Sequence, residues 1–299
     1  MYQPRPTRNI LDRNAAKGEP ELNSAPYPRL TRGIQPTTKV KPTVTQPEQF
    51  LPVIENETAT SRIILVCEHA SNLIPPAYND LGLTLAQRQA HIAWDPGALA
   101  LSRRLAQRLD ATLIHAPVSR LVYDCNRAPD MPGAMPARSE VYDIPGNATI
   151  SASERLARTE AVYLPWAAGL HALIAKRIAL GRHPVLITIH SFTPIFHGKP
   201  RHLEFGVIHD ADPHLAVAIL DAAHKLTRLH ADLNAPYSAA DHVTHTLRVQ
   251  ATPYGLPNAM LEIRNDLIAA PASVNAMADQ LAPVLNMGLV EIQRQAKAS

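Results

Sequence analysis

From residue 61 onward the chain alternates short continuous apolar runs with longer segments of helical period. Arg62-Ile63-Ile64-Leu65-Val66-Cys67 is one such run, rich in β-branched residues, and predicts a buried strand. Ala111 to Ala116, Pro184 to Ile189 and Glu204 to His209 predict three more strands. Ala259-Met260-Leu261-Glu262-Ile263-Arg264 predicts a fifth, with charge at alternate positions. Asp95-Pro96 reads as a helix start, Asp at the cap and Pro at the first helical position, followed by apolar residues at 98, 101, 105 and 109. Segments 84–93, 151–179, 213–229 and 274–296 also have helical character. This order of elements predicts an α/β fold, a three-layer sandwich around a mixed, largely parallel central sheet.

The pattern fails in two places. Residues 1–57 hold nine of the 27 prolines and have neither a helical nor a strand period. Such a stretch buries too little surface to offset its ordering entropy, which predicts a Pro-rich tail, disordered or wrapping, ahead of a single domain over 58–299. The segment from Arg127 to Asn147, dense in Pro and Gly, predicts a long loop. A hydrophobic fraction of 46% is enough for a sizeable core. The net charge of +3, with scattered Arg and no aromatic-plus-basic stripe, argues against a nucleic-acid partner. No apolar run approaches the roughly 18 residues a membrane span needs. The N-terminus lacks a signal-peptide core, so the expected location is the cytoplasm. Two cysteines, Cys67 and Cys125, make no disulfide framework. The oligomeric state has no signature here.

Candidate chemistry stands at the predicted strand ends, the edge where open α/β sheets build their sites. His69 follows the first strand, His190 a later one, and Asp95 caps the intervening helix. Two imidazoles and one carboxylate, leaving a fourth position for water, make a catalytic zinc set. Histidines that only hydrogen-bond within the fold are the alternative. Glu262 and Arg264 share one face of the late strand, as a buried ion pair or as a general base with an arginine that holds substrate. Within Ser119 to Arg127, Arg120, Asn126 and Arg127 suit forked recognition of a carboxylate, the alternative being surface arginines with a capping Asn.

Six segments carry a resemblance: His69-Ala70-Ser71-Asn72-Leu73-Ile74-Pro75, Asp95-Pro96-Gly97-Ala98, Arg120 through Arg127, His190-Ser191-Phe192, Asn234-Ala235-Pro236-Tyr237-Ser238 and Glu262-Ile263-Arg264-Asn265-Asp266-Leu267. In this order they resemble the N-formylglutamate amidohydrolase family, whose fold is similar to zinc carboxypeptidases and aspartoacylases. The resemblance implies one zinc ion on His69, Asp95 and His190, with Glu262 as the catalytic glutamate. It makes Arg120 and Arg127 candidates for the carboxylates of a glutamate-like substrate. Glu68 is an alternative ligand, although adjacent strand residues point to opposite faces. The implied reaction is hydrolysis of a small N-acyl amino acid, N-formyl-L-glutamate or a related N-formyl compound. A zinc amidase acting on cell-wall peptide and a non-catalytic metal-binding protein are the rival readings.

Overall fold

The apolar runs become the centre of one sheet. A computed structural model describes residues 48–298. Its strands are β1 (Val53–Glu55), β2 (Ile63–Cys67), β3 (Thr112–His115), β4 (Arg138–Ser139), β5 (Tyr142–Asp143), β6 (Val185–Phe192), β7 (Ile195–Phe196), β8 (Lys199–Pro200), β9 (Phe205–Ile208), β10 (Ala231–Leu233) and β11 (Asn258–Arg264). Its α-helices are α1 (Leu85–Gln89), α2 (Ala98–Leu109), α3 (Pro145–Ala148), α4 (Ala152–Arg158), α5 (Leu164–Ala179), α6 (His214–Leu226) and α7 (Pro271–Ala298).

Seven strands pair in the order β1-β3-β2-β6-β11-β9-β10. β3, β2, β6 and β11 run parallel, β1 and β9 join antiparallel, and β10 lies parallel to β9. Alternation divides each strand between two cores. Ile63, Leu65, Val185, Ile187 and Leu261 face a cluster shared with α2, α6 and α7. Ile64, Val66, Leu186 and Met260 face a second cluster, which includes Trp166 and Leu170 of α5. Burial on both faces explains why β2 is apolar at every position. The α/β sandwich expected from the sequence is the observed fold.

Several local expectations are corrected. The proposed tail lies outside the described residues up to position 47, but Val53–Glu55 within it forms the edge strand β1 on β3. Its backbone pairing needs no apolar alternation, so no period announced it. The long loop contains the β4–β5 hairpin and the short α3. β6 does not stop at Ile189: pairing with β11 carries it through His190 to Phe192. The helix after Asp95 starts at Ala98, with Gly97 as its N-cap at φ 83°. Asp95 does not cap it, because its carboxylate is drawn to two imidazoles instead.

Gly97 lets the chain turn from Asp95 into α2. A Cβ there would lie 2.5 Å from the Ile268 carbonyl oxygen, in a left-handed conformation that also disfavours any side chain. We expect Gly97→Ala to destabilise the protein by about 1–3 kcal/mol, the usual range for forced overpacking, measured by denaturant unfolding.

Candidate active site

Parallel pairing sets the site. His190 of β6 and Glu262 of β11 are direct register partners, and both lie on the sheet face that carries Leu186 and Met260. His69 stands just beyond β2, and the Asp95 N–H donates to its carbonyl at 2.9 Å, bringing the turn before α2 alongside. The Ser191 N–H points at Asp95 Oδ2 at 3.3 Å, and its hydroxyl donates to the Pro96 carbonyl at 2.8 Å.

Three ligand atoms thereby converge. His69 Nδ1 and His190 Nδ1 lie 3.2 and 3.0 Å from Asp95 Oδ2, and 3.2 Å from each other. A tetrahedral ion with bonds of about 2.0–2.2 Å separates its ligands by roughly 3.3–3.5 Å, so the triangle fits such an ion. Two ring nitrogens facing each other this closely cannot both present a proton to the gap. The outer ring nitrogens meet carboxylates. His69 Nε2 lies 2.8 Å from Asp124 Oδ1, which also accepts the Asn126 N–H at 2.9 Å. His190 Nε2 lies 3.3 Å from Glu68 Oε2, an ion-pair distance without hydrogen-bond alignment. A carboxylate behind a ligating imidazole fixes its tautomer and turns its other nitrogen to the metal. Glu68 therefore stands behind His190, outside the converging atoms, as strand alternation implies.

The electrostatics also favour a cation. Glu68, Asp95, Asp124 and Glu262 are all buried around the two imidazoles. Arg120 bonds Asp124 Oδ2 at 2.8 Å and Asp95 Oδ1 at 3.3 Å. Burial alone would lower the His190 pKa, but the charges of Glu68 and Asp95 raise it well above the ordinary imidazole range. Burial pushes Glu262 from the usual 4.5 up to about 7, His190 pulling it down and Asp95 pushing it further up. Glu262 Oε2 has no hydrogen-bond partner among the described residues.

These groups floor a cleft of about 380 Å³, at the small end of the usual ligand-pocket range of ~300–1,000 Å³. Arg120, Asn126 and Arg127 all line it. The Asn126 amide is occupied, its oxygen accepting the Thr246 N–H and its nitrogen donating to the Val243 carbonyl. Arg127 donates to the carbonyls of Asp241 and His242. Arg264 is not among the lining residues. Its guanidinium bonds Asp266 at 2.8 Å and the carbonyls of residues 201–203, which removes it from substrate contact. Asp124 and Glu140 were not anticipated. Asp124 lies inside the singled-out Arg120–Arg127 segment, where its place between two arginines was the available signal; Glu140 had none.

The N-formylglutamate amidohydrolase family profile matches residues 61–269. No curated protein sequence matches the chain. The crystal structure of a gene product from Agrobacterium tumefaciens is 48% identical over 82% of this chain and 96% of its own, with a TM-score of 0.80. The crystal structure of an N-formylglutamate amidohydrolase from Ralstonia eutropha shares the fold, with a TM-score of 0.59 at 16% identity over 82% of this chain and 99% of its own.

The raised carboxyl of Glu262 has a stability signature. Its pKa of about 7 in the fold exceeds the usual 4.5, so the folded state favours the protonated form. The resulting penalty is absent below the lower value, grows between the two and is complete above the higher one. In metal-free protein Glu262→Gln should stabilise the fold at pH 8, by on the order of 3 kcal/mol, and have little effect at pH 4.5. Urea unfolding at the two pH values measures this.

Proposed function

The chain belongs to the N-formylglutamate amidohydrolase family, and on that premise we propose that it hydrolyses the amide bond of a small N-acyl amino acid with one zinc ion. As a member of that family it is a hydrolase of carbon–nitrogen bonds other than peptide bonds. N-formyl-L-glutamate and related N-formyl amino acids are the substrates to test first. The observation that carries the reading is the meeting of the His69, Asp95 and His190 donors beside a buried Glu262 with an unpartnered carboxylate oxygen.

Each residue has a role in this reading. His69, Asp95 and His190 hold the metal, while Asp124 and Glu68 stand behind the two imidazoles. When bound, a divalent ion supplies Lewis-acid polarisation of water and of the scissile carbonyl. Glu262 takes a proton from the attacking water and returns it to the departing nitrogen as the C–N bond breaks. A carboxyl whose pKa lies near the working pH suits both transfers. The products are a small carboxylic acid, formate for an N-formyl substrate, and a free amino acid.

Arg120 pairs with both Asp95 and Asp124, and this tie keeps Asp95 and the carboxylate behind His69 in place. Arg127 lines the cleft with no carboxylate at ion-pair distance among the described residues, which leaves its charge for the α-carboxylate of the substrate. Among the described residues no helix is long and apolar enough to cross a membrane, and the cytoplasm stays the proposed location.

The test is metal content together with formate release from a panel of N-formyl amino acids. Glu262→Gln should keep the metal and lose at least about 100-fold in kcat, in line with general-base contributions of about 10²–10⁴. Undiminished kcat would remove Glu262 as the base. Arg127→Ala should raise KM about tenfold or more with a smaller change in kcat, since one charge-assisted contact contributes about 1.5–3 kcal/mol. Steady-state kinetics reads both.

A further inference from the structure

A substrate with two carboxylates needs a second cation besides Arg127, and Arg120 is already bonded to Asp95 and Asp124. Arg201, which directly follows β8, is the next guanidinium along the cleft. It lies 5.6, 4.2 and 5.0 Å from the ring centroids of Phe192, Phe196 and Tyr237. Arg201 is not itself a lining residue, but all three rings line the cleft. Among the described residues its one side-chain hydrogen bond goes to the Tyr237 hydroxyl, at 3.1 Å, and no carboxylate stands at ion-pair distance.

Arg201 is fixed from several sides. Its N–H donates to the Pro194 carbonyl at 2.8 Å, and its own carbonyl accepts a bond from Arg264 at 3.3 Å. Arg264, removed from substrate contact, thus anchors the residue after β8, while Asp266 holds the Arg264 guanidinium. Stacking on aromatic faces holds the Arg201 guanidinium without cancelling its charge. Tyr237 completes the arrangement. Its oxygen accepts the Arg201 N–H, and its own proton meets no acceptor among the described residues. Burial pushes this phenol above its ordinary range, so it keeps that proton at neutral pH. The acids of the lining are engaged elsewhere. Asp95 and Asp124 pair with Arg120, Glu140 lies 2.8 Å from His91 Nε2, and Asp241 accepts the Ser238 N–H at 2.8 Å. Glu262, raised to about 7, carries only part of a charge at neutral pH.

We infer that the Tyr237 hydroxyl, backed by the Arg201 guanidinium, receives the side-chain carboxylate of an acidic N-formyl amino acid, and that this pair sets the preference for it. The hydroxyl donates to the carboxylate, and the guanidinium supplies the opposite charge one hydrogen bond further out. Beside the rings of Phe192 and Phe196 that charge is less screened than in water, so it acts across the hydroxyl. This rests on the hydrolysis proposed above and assigns the residues that read the side chain, the α-carboxylate staying with Arg127. N-formyl-L-glutamate and N-formyl-L-glutamine form the decisive pair, because they match in shape and differ by one charge.

Wild-type protein should show kcat/KM at least tenfold higher for the glutamate compound. Arg201→Met keeps a stem against the rings and removes the charge. It should cut that ratio to threefold or less, mainly by raising KM for the glutamate compound. Tyr237→Phe should lower the ratio at least threefold, and it carries the test if Arg201→Met does not fold. A wild-type ratio below tenfold, or one unmoved by either variant in protein with unaltered Tm, would overturn the inference and leave the reaction standing. Equal losses for both compounds would show a merely structural role and overturn it likewise. Calorimetric titration of Glu262→Gln, with and without Arg201→Met, reads the same preference without turnover. That order of binding with no formate from either compound would overturn the reaction and leave the carboxylate site. Binding of neither compound would overturn both.

Discussion

A single carboxylate oxygen, Asp95 Oδ2, lies within 3.2 Å of imidazole nitrogens from two separate segments. The carboxylate and both imidazoles are buried. A buried charge of this kind survives only when fully compensated, so every neighbouring element is arranged around that requirement. β2 and β6 run parallel, with β11 beside them, which brings their C-terminal ends to one edge. The turn at Gly97 swings Asp95 over that edge instead of letting it cap α2. Among the described residues Arg120 supplies the one guanidinium bonded to the cluster.

The same balance makes the cluster able to accept a cation. With four carboxylates buried beside two imidazoles and one guanidinium, the cluster is acidic unless protons or a metal ion enter it. The raised pKa values of His69 and His190 are two expressions of this excess, while Glu262 is raised chiefly by its burial. In the proposed function a divalent ion would offset this excess and Glu262 would serve as the base. Structural stability and chemistry thus draw on the same unbalanced charge, as is common where pKa values are strongly displaced.

Above this floor the cleft is shaped by parts far apart in sequence. Gly206 pairs with Glu262 across β9 and β11, and a Cβ there would lie 1.8 Å from the Ala235 carbonyl oxygen. Only the missing side chain lets the Asn234–Ser238 segment pack down beside Glu262 and place Tyr237 in the wall. On the opposite side the β4–β5 hairpin contributes Ser139 and Glu140. The floor resembles a general hydrolytic centre, and the walls decide what it accepts.

What the sequence by itself determined was the frame and the groups that meet at the candidate site. Short runs rich in β-branched apolar residues, such as Ile63–Cys67 and Val185–Ile189, read as buried strands, and the polar residues closing them fall at the sheet edge. His69, Asp95, His190 and Glu262 were legible for that reason, supported by several motifs in a shared order. Only the tertiary structure decided the side chains whose role depends on a long-range neighbour. Glu68 and Asp95 are both carboxylates near a histidine, yet one stands behind an imidazole and the other between two. Arg264 shares a strand with Glu262 but is captured by Asp266 and backbone carbonyls. Asp124 and Glu140 acquire meaning from His69, His91 and His197, residues 49 to 57 positions away. Periodicity fixes which face a residue occupies, a local property of backbone geometry. Which loop then folds over that face is set by packing and charge compensation between distant segments, and no local pattern encodes it.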